Sequence, residues 1–279
     1  MKQSVLLIIT VLLSSTLLAQ DFQGVATYKS HRKLDIKLDS TQVGSGMQEM
    51  LMAQLKKQFE KTYILTFNKE ASLYKEDEQL DAPQPAGMQI VMVNTGGSDV
   101  LYKNTKEKRF TNQNESFSKL FLIKDSLQDF DWKLTGETKN IGEYTCYKAT
   151  LKREREVIRT SFSFNGNKSE EEDENETPEM EEYITTAWYT TQIPVNNGPG
   201  NYYGLPGLIL EVNNGRETLI CSKIVLNPKK KIDIVEPKKG KEITQEKYDA
   251  IMDKKIKEMN ELYSREEKDG NNFSISIGG

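Results

Sequence analysis

The sequence predicts an α+β fold, a curved antiparallel β-sheet of half-barrel type with two amphipathic helices packed on it. Three observations carry that expectation. Short runs rich in β-branched and aromatic residues recur along the chain, with Gly, Pro, Asn and Asp between them. Two longer stretches change from a period of two to a helical period. The strands follow one another through turns, without the crossover helices of a parallel sheet.

The elements follow in order. Phe22 to Leu38 predicts a first strand or strand pair, with Leu34, Ile36 and Leu38 alternating with charged residues. From Met47 the period becomes helical: Met47, Leu51, Leu55 and Phe59 form a stripe, and Ser45 is placed to cap it. Strands resume at Tyr63–Phe67 and Ser72–Tyr74, and Pro83 and Pro85 mark a loop. Ile90–Val93, Val100–Tyr102, Lys108–Phe110, Leu120–Ile123 and Trp132–Leu134 read as further short strands. The strand around Cys146 is followed by Val157–Phe164, expected to return antiparallel to it. Residues 170–182 are strongly acidic and lack the glycine and ligand spacing of a calcium loop, so they read as a solvated loop. Leu208–Val212 and Leu219–Leu226 flank Asn214-Gly215, which suits a two-residue type I′ hairpin and places Val212 opposite Glu217. Thr244 to Glu267 predicts the second helix, capped by Thr244, with Tyr248, Met252, Met259 and Tyr263 on one stripe.

The N-terminal residues read as an export signal. Lys2 precedes an apolar run from Val5 to Val11, extended by Leu12, Leu13, Leu17 and Leu18, and Ala19 supplies a small residue before the cut. The domain expectation is therefore a signal peptide over 1–19, one domain over 20–269 with an acidic insertion at 170–182, and a loosely ordered tail over 270–279. The protein is expected to be exported, in the periplasm or secreted. An uncleaved anchor is the alternative. No later run approaches the roughly 20 apolar residues of a membrane span. With a formal net charge of −4, the chain is a poor candidate for nucleic-acid binding.

Two cysteines in an exported chain are a disulfide candidate, Cys146 with Cys221. Each is followed two residues on by a lysine, so both thiols are expected on the less apolar face of a sheet. Two unpaired thiols are the other outcome, because spacing does not measure distance.

The densest motif runs from Thr186-Ala187-Trp188-Tyr189-Thr190 through Ile193-Pro194 and Gly198-Pro199 to Tyr203-Gly204-Leu205-Pro206-Gly207-Leu208-Ile209. Its hexapeptide from Gly204 to Ile209 resembles the signature of the GLPGLI family, exported proteins of Gram-negative bacteria named after that string. The resemblance is dense from about Ile141 to Leu226 and weaker in the first strand, Gly24 to Tyr28. It implies export and a shared fold but no reaction, since the family has no established biochemical function. The motif has a structural reading: Pro206 and Gly207 suit the centre of a type II turn, with positive φ at Gly207, that delivers Leu208 and Leu210 to one face of a strand and Ile209 to the other. The other reading makes Trp188, Tyr202, Tyr203, Leu205 and Pro206 the rim of a binding site.

The motifs of catalysis are weak. The single histidine, His31, lies in a polar stretch, no Gly-x-Ser-x-Gly is present, and one His with two distant Cys makes no zinc spacing. No cofactor and no metal are expected. The leading expectation is a non-enzymatic envelope protein holding an apolar ligand or a partner protein or peptide. The alternatives are a hydrolase with an unrecognised carboxylate site, favoured by a cleft of convergent carboxylates, and an accessory subunit of an outer-membrane complex.

Overall fold

The computed structural model describes residues 22–32, 60–77, 99–156 and 180–266. Their strands are β1 (Gln23–Arg32), β2 (Thr62–Asn68), β3 (Ala71–Glu76), β4 (Val100–Asn104), β5 (Arg109–Ser116) and β6 (Lys119–Ser126). The chain continues through β7 (Lys133–Ile141), β8 (Tyr144–Glu156), β9 (Met180–Thr190), β10 (Leu208–Asn213), β11 (Glu217–Leu226) and β12 (Lys241–Ile243), and ends in helix α1 (Gln245–Glu266). All twelve strands join one open sheet in the order β12-β6-β5-β4-β3-β2-β1-β11-β10-β9-β8-β7.

This corrects the expected α+β class. The fold is mostly β, and the described residues contain one helix. The Met47–Phe59 helix lies outside the described residues, as do Ile90–Val93, Val157–Phe164 and the tail over 270–279. The sheet is mixed, because β12 runs parallel to β6 while every other neighbouring pair is antiparallel. The acidic run also ends earlier than expected: β9 begins at Met180, so Glu181 and Glu182 are strand residues, and the rest of the run lies outside the described residues.

Cross-strand register explains the core. One row of facing residues crosses six strands: Ala26, Leu65, Tyr74, Leu101, Asn112 and Ile123. The adjacent row runs Gly24, Phe67, Ser72, Lys103 and Phe110. On these strands alternate residues share a face, so both rows lie on the same side. Ala26, Leu65, Phe67, Tyr74 and Leu101 gather in a buried cluster with Tyr28, Cys146, Leu208 and Leu210, while Ile123 joins a separate cluster under the helix. Gly24 is required there, since a Cβ would stand 2.3 Å from the Phe67 ring.

What closes this face beside β3 and β4 is the loop between β9 and β10. Ile193 and Val195 from that loop are buried in the same cluster. The backbone of the loop acts as a partial extra strand, with Leu208 N donating to Ile193 O at 2.9 Å and Ile209 N to Asn197 O at 3.0 Å. Lys103 pins it. Its fully buried ammonium donates to the carbonyls of Gly198 (2.8 Å), Gly200 (2.6 Å) and Tyr202 (3.1 Å). Ser72 Oγ adds a bond to Asn197 Oδ1 at 3.1 Å.

Helix α1 covers the same face at the far end, where Tyr248 and Met252 pack on Phe121 and Ile123. Thr244 caps it, its carbonyl accepting from Tyr248 N at 3.0 Å. The extended strap from β11 to β12 is tied to the sheet by Glu236, which takes bonds from Arg109 (2.7 Å) and Thr111 (2.5 Å). It enters β12 through Gly240, at φ +126°, where a Cβ would press on the Phe121 backbone. At the opposite edge β7 is exposed along almost its whole length. Lys133, Lys139, a register break after Leu134 and Gly136 at φ +78° make it a poor template for further pairing.

The β10–β11 hairpin differs from the expected one. Val212 faces Leu219, two residues beyond Glu217. Gly215 has φ +87° but Asn214 does not have positive φ, so the turn is not type I′. Asn214 instead spends its side chain on the loop, accepting from Glu217 N at 2.8 Å, which widens the connection.

The Lys103 clasp makes a prediction with a defined sign. Burial pushes its ammonium down to about 7 from an ordinary 10.5. Between those values the unfolded chain binds more protons than the folded one, so this group makes stability rise with pH. Lys103→Met should abolish that slope between pH 7 and 9. It should also leave carbonyls of the loop without a donor, lowering stability at pH 7 by about 1–3 kcal/mol. Denaturant titrations across pH, with amide exchange of residues 198–202, measure both.

Candidate functional site

The motif segment is built from backbone constraints. Gly207 does not have positive φ, contrary to the type II turn expected there. Instead Gly207 N donates to Leu205 O at 2.8 Å, a three-residue turn centred on Pro206. The fixed φ of proline matches the centre of an inverse γ-turn. A Cβ on Gly207 would lie 2.1 Å from the Thr190 carbonyl oxygen, so this glycine serves close backbone approach. Gly204 carries the positive φ, +98°. The positive φ expected at Gly207 is thus found at Gly204 instead. Pro194 repeats the device, with Val195 N bonded to Ile193 O at 2.8 Å.

The strand that follows behaves as expected. Leu208 and Leu210 enter the main cluster, while Ile209 enters a second one with Leu205, Tyr189, Ala187 and Ala149. Tyr28 Oη donates to the Ile209 carbonyl at 2.6 Å, tying the motif to the central strand.

The candidate rim residues divide. Leu205 and Tyr203 are buried, and Pro206 is exposed. Tyr202 joins Phe130, Trp132 and Tyr203 in an aromatic cluster. Trp132 Nε1 donates to Tyr203 O and Tyr203 Oη to Gln128 O, both at 2.8 Å. Trp188 lies apart from them, half-buried, with the Lys139 ammonium 4.4 Å from its ring centre. Lys139 in turn pairs with Glu211 at 2.8 Å. The structure thus brings Tyr202, Tyr203 and Leu205 together and leaves Trp188 on another surface.

The cysteines are unbridged, and Cys146 is fully buried in the main apolar cluster, with Cys221 packed against that cluster. Cys146 therefore sits on the core face, not on the less apolar face expected for it. Burial pushes both thiols up to about 11.

A different place has the features of a ligand site. Between α1 and the strand face lies an open cavity of about 400 Å³. Its floor is apolar, from Ile123 and Met252, and its walls are polar. Asn114 is buried at the centre of a network. Its amide donates to Asp99, and its carbonyl accepts from Tyr248 Oη at 2.8 Å and from Ser116 Oγ. Ser116 and Tyr248 hydroxyls also meet at 2.8 Å. Burial pushes the Asp99 carboxyl up to about 6, against the bond from Asn114 and the nearby Lys61, which favour its charged form. Asn112 lines the cavity, while its Oδ1 is turned out of solvent reach and has no hydrogen-bond donor among the described residues. Asp249 and Asp253 complete the helix side. The helix stripe marked Tyr248 and Met252, but no sequence signal marked Asp99, which immediately precedes β4, or Asn112 and Asn114 on β5, because only tertiary contact brings them to the helix. Among the described residues no group of three or more His, Cys, Asp or Glu side chains is placed to hold a metal ion. His31 lies far from this chemistry in sequence and pairs with Glu60 at 3.6 Å.

Residues 132–211 match the model of a protein family of unknown function, Porph_ging. That match spans the motif segment and is to a family of the same kind as the one the motif resembles. No curated protein matches the chain. Two solved structures of PNGF-II, in space groups C2 and P21, are similar with TM-scores of 0.47 and 0.46 at 16% identity. The similarity covers 82% and 83% of this chain but 32% and 33% of those chains, so the chain spans about a third of their length.

Two predictions arise here. Gly207→Ala forces a backbone collision and should cost about 3 kcal/mol or more, whereas Gly204→Ala should cost about 1–2 kcal/mol for its left-handed backbone. Equal losses in thermal melts would contradict these two separate roles.

Asp99 gives the second. Its folded value lies above its unfolded one, so the folded chain binds more protons between about pH 4 and 6 and stability falls as pH rises through that window. Asp99→Asn should therefore stabilise by about 1–2 kcal/mol at pH 7.5 and by little at pH 4. Urea titrations at the two pH values measure the difference.

Proposed function

We propose that this chain is an exported, GLPGLI-type binding protein of the cell envelope, without catalytic machinery of its own, and that its ligand site is the cavity between α1 and the sheet. Export rests on Lys2, the apolar run after it and Ala19. No helix among the described residues is long and apolar enough to cross a membrane. The observation that carries the binding reading is the convergence in one cavity of the raised Asp99 carboxyl, the polar side chains of α1 and an apolar floor. A carboxyl raised by burial in this way costs stability, and ligand sites are where such costs are tolerated. The half-polar wall narrows the ligand from a purely apolar one to an amphipathic molecule or a side chain of a partner polypeptide.

One observation favours a second reading, a carboxylate hydrolase. A carboxyl held near 6 is a general-acid candidate in a cleft. Against this role, Asp99 commits one oxygen to Asn114.

Native mass spectrometry of protein recovered from the periplasm separates the readings. Wild type should carry a bound species. Ile256→Trp, which fills the mouth, should lose it while melting normally. Identical spectra for both proteins would remove the cavity as the site. Accumulation of an uncleaved precursor on Asp99→Asn would transfer the weight to hydrolysis.

A further inference from the structure

We propose that the strap from β11 to β12 is a docking surface for an anionic lipid bilayer. The whole chain has a formal net charge of −4, yet residues 227–240 hold Lys229, Lys230, Lys231, Lys238 and Lys239 against Asp233 and Glu236. All five lysines are exposed. Glu236 is already paired with Arg109 at 2.7 Å, so within the strap Asp233 alone opposes them. The strap crosses the sheet face that lies opposite the main core. Its Ile232 N donates to Gln23 Oε1 at 3.3 Å, and its Glu236 accepts from Thr111 Oγ1 at 2.5 Å. Thr111 ends a row of that face that runs Val225, Val25, Thr66, Leu73 and Tyr102 before it. The next row runs Lys223, Thr27, Ile64 and Lys75. Neither row contains an acidic residue, and Lys75 and Lys223 add exposed ammonium groups to those of the strap.

Three features select a lipid surface among anionic partners. From Lys229 to Lys239 an extended chain reaches up to about 33 Å, so the charge is spread over many headgroups rather than gathered around one phosphate. Val235 is 61% exposed in the strap, and Val225 is 38% exposed on the row beside Lys223. Apolar side chains among lysines suit the boundary between headgroups and acyl chains, where each group finds its own solvent. A soluble acidic polypeptide offers carboxylates to the lysines and nothing to these valines. The strap is also held in place before it binds. Asn227 N donates to Gln23 O at 2.8 Å, Ile232 and Ile234 are half-buried, and Glu236 is tied to the sheet. Docking therefore orders little chain. None of these residues lines the cavity under α1, so the two surfaces are separate.

Flotation of protein recovered from the periplasm with lipid vesicles tests the proposal. Vesicles of phosphatidylcholine with one-third phosphatidylglycerol should capture it at least tenfold more strongly than vesicles of phosphatidylcholine alone. Raising salt from about 0.05 to 0.5 M should release it, because the attraction acts only within a Debye length. Equal capture by the two vesicles, or capture by neither, would overturn the proposal. Binding of a polyglutamate peptide in preference to anionic vesicles would also overturn it and assign the strap to an acidic polypeptide.

Variants of the strap give a second readout. Near an anionic leaflet each lysine strengthens binding by about fivefold. Lys229→Gln, Lys230→Gln, Lys238→Gln and Lys239→Gln combined should melt as wild type does, since all four side chains are exposed, and should lose tenfold or more of the capture by anionic vesicles. Unchanged capture would sink the assignment. Lysine-to-arginine replacements at the same four positions keep the charge and should keep the capture, and a loss there would count against an electrostatic surface. Val235→Trp reports on the apolar part. Anionic vesicles should shift its emission to the blue beyond any shift of wild type, and an unshifted spectrum would place Val235 outside the bilayer and contradict the docking.

Discussion

A lysine ammonium buried under three backbone carbonyls determines how the motif loop lies on the sheet. An ammonium in that position is stable only if its protons are taken up, and the Gly198, Gly200 and Tyr202 carbonyls take them. The loop must therefore curl around one point. Gly200 at φ +53° and Gly198, whose Cβ would press on Ile209 at 2.8 Å, permit the curl. With the loop fixed, Ile193 and Val195 enter the core, Leu205 covers Ile209, and β10 can begin at Leu208 with both faces buried. The hexapeptide is thus less a signature of chemistry than the seam where a loop and a sheet close on each other.

The sequence made some of this legible. Strand positions followed from alternation because most strands have one apolar face. The continuous apolar run Leu208–Leu210 correctly implied cover on both sides, since no alternating pattern could hide it. What periodicity could not reach were contacts between distant strands. Lys103 reads as an ordinary strand lysine, and nothing near it in sequence announces three carbonyls contributed from about a hundred residues away. The Gly207 error has the same origin: a Pro-Gly pair suits a type II turn locally, but the Thr190 carbonyl lying against it is a tertiary fact. The hairpin register slipped by two because Asn214 bonded its own loop instead of adopting a left-handed backbone. Cys146 was misplaced because the lysine after it on the strand, Lys148, reaches outward to Glu137 and tells nothing about the depth of its neighbour.

The same logic explains why the cavity escaped notice in the sequence. Its members come from the residue before β4, the middle of β5 and β6, and the first half of α1, each unremarkable alone. Asn112 becomes informative only once register places it among Leu101 and Ile123. Tyr248 was legible as a core residue of the helix, and it is buried. Its hydroxyl, however, does more than fill space, because it joins Ser116 and Asn114 and so holds the amide that binds Asp99.

The two ends of the sheet face therefore solve opposite problems with similar residues. Over β3 and β4 a cation is buried and the chain supplies acceptors for it. Over β5 and β6 acceptors are buried, and among the described residues Asn114 serves Asp99 but no donor serves the Asn112 oxygen. Both polar groups stand in neighbouring rows of one apolar face, and the ammonium is by far the costlier to leave unpaired. The difference is what lies above them. A loop of fixed length closes over Lys103, whereas α1 packs on β6 through Tyr248 and Met252 and reaches β5 through the Tyr248 hydroxyl, which serves Asn114 and not Asn112. The ammonium at one end is thus matched by backbone acceptors that the chain itself brings round, whereas the amide oxygen at the other end has no donor among the described residues.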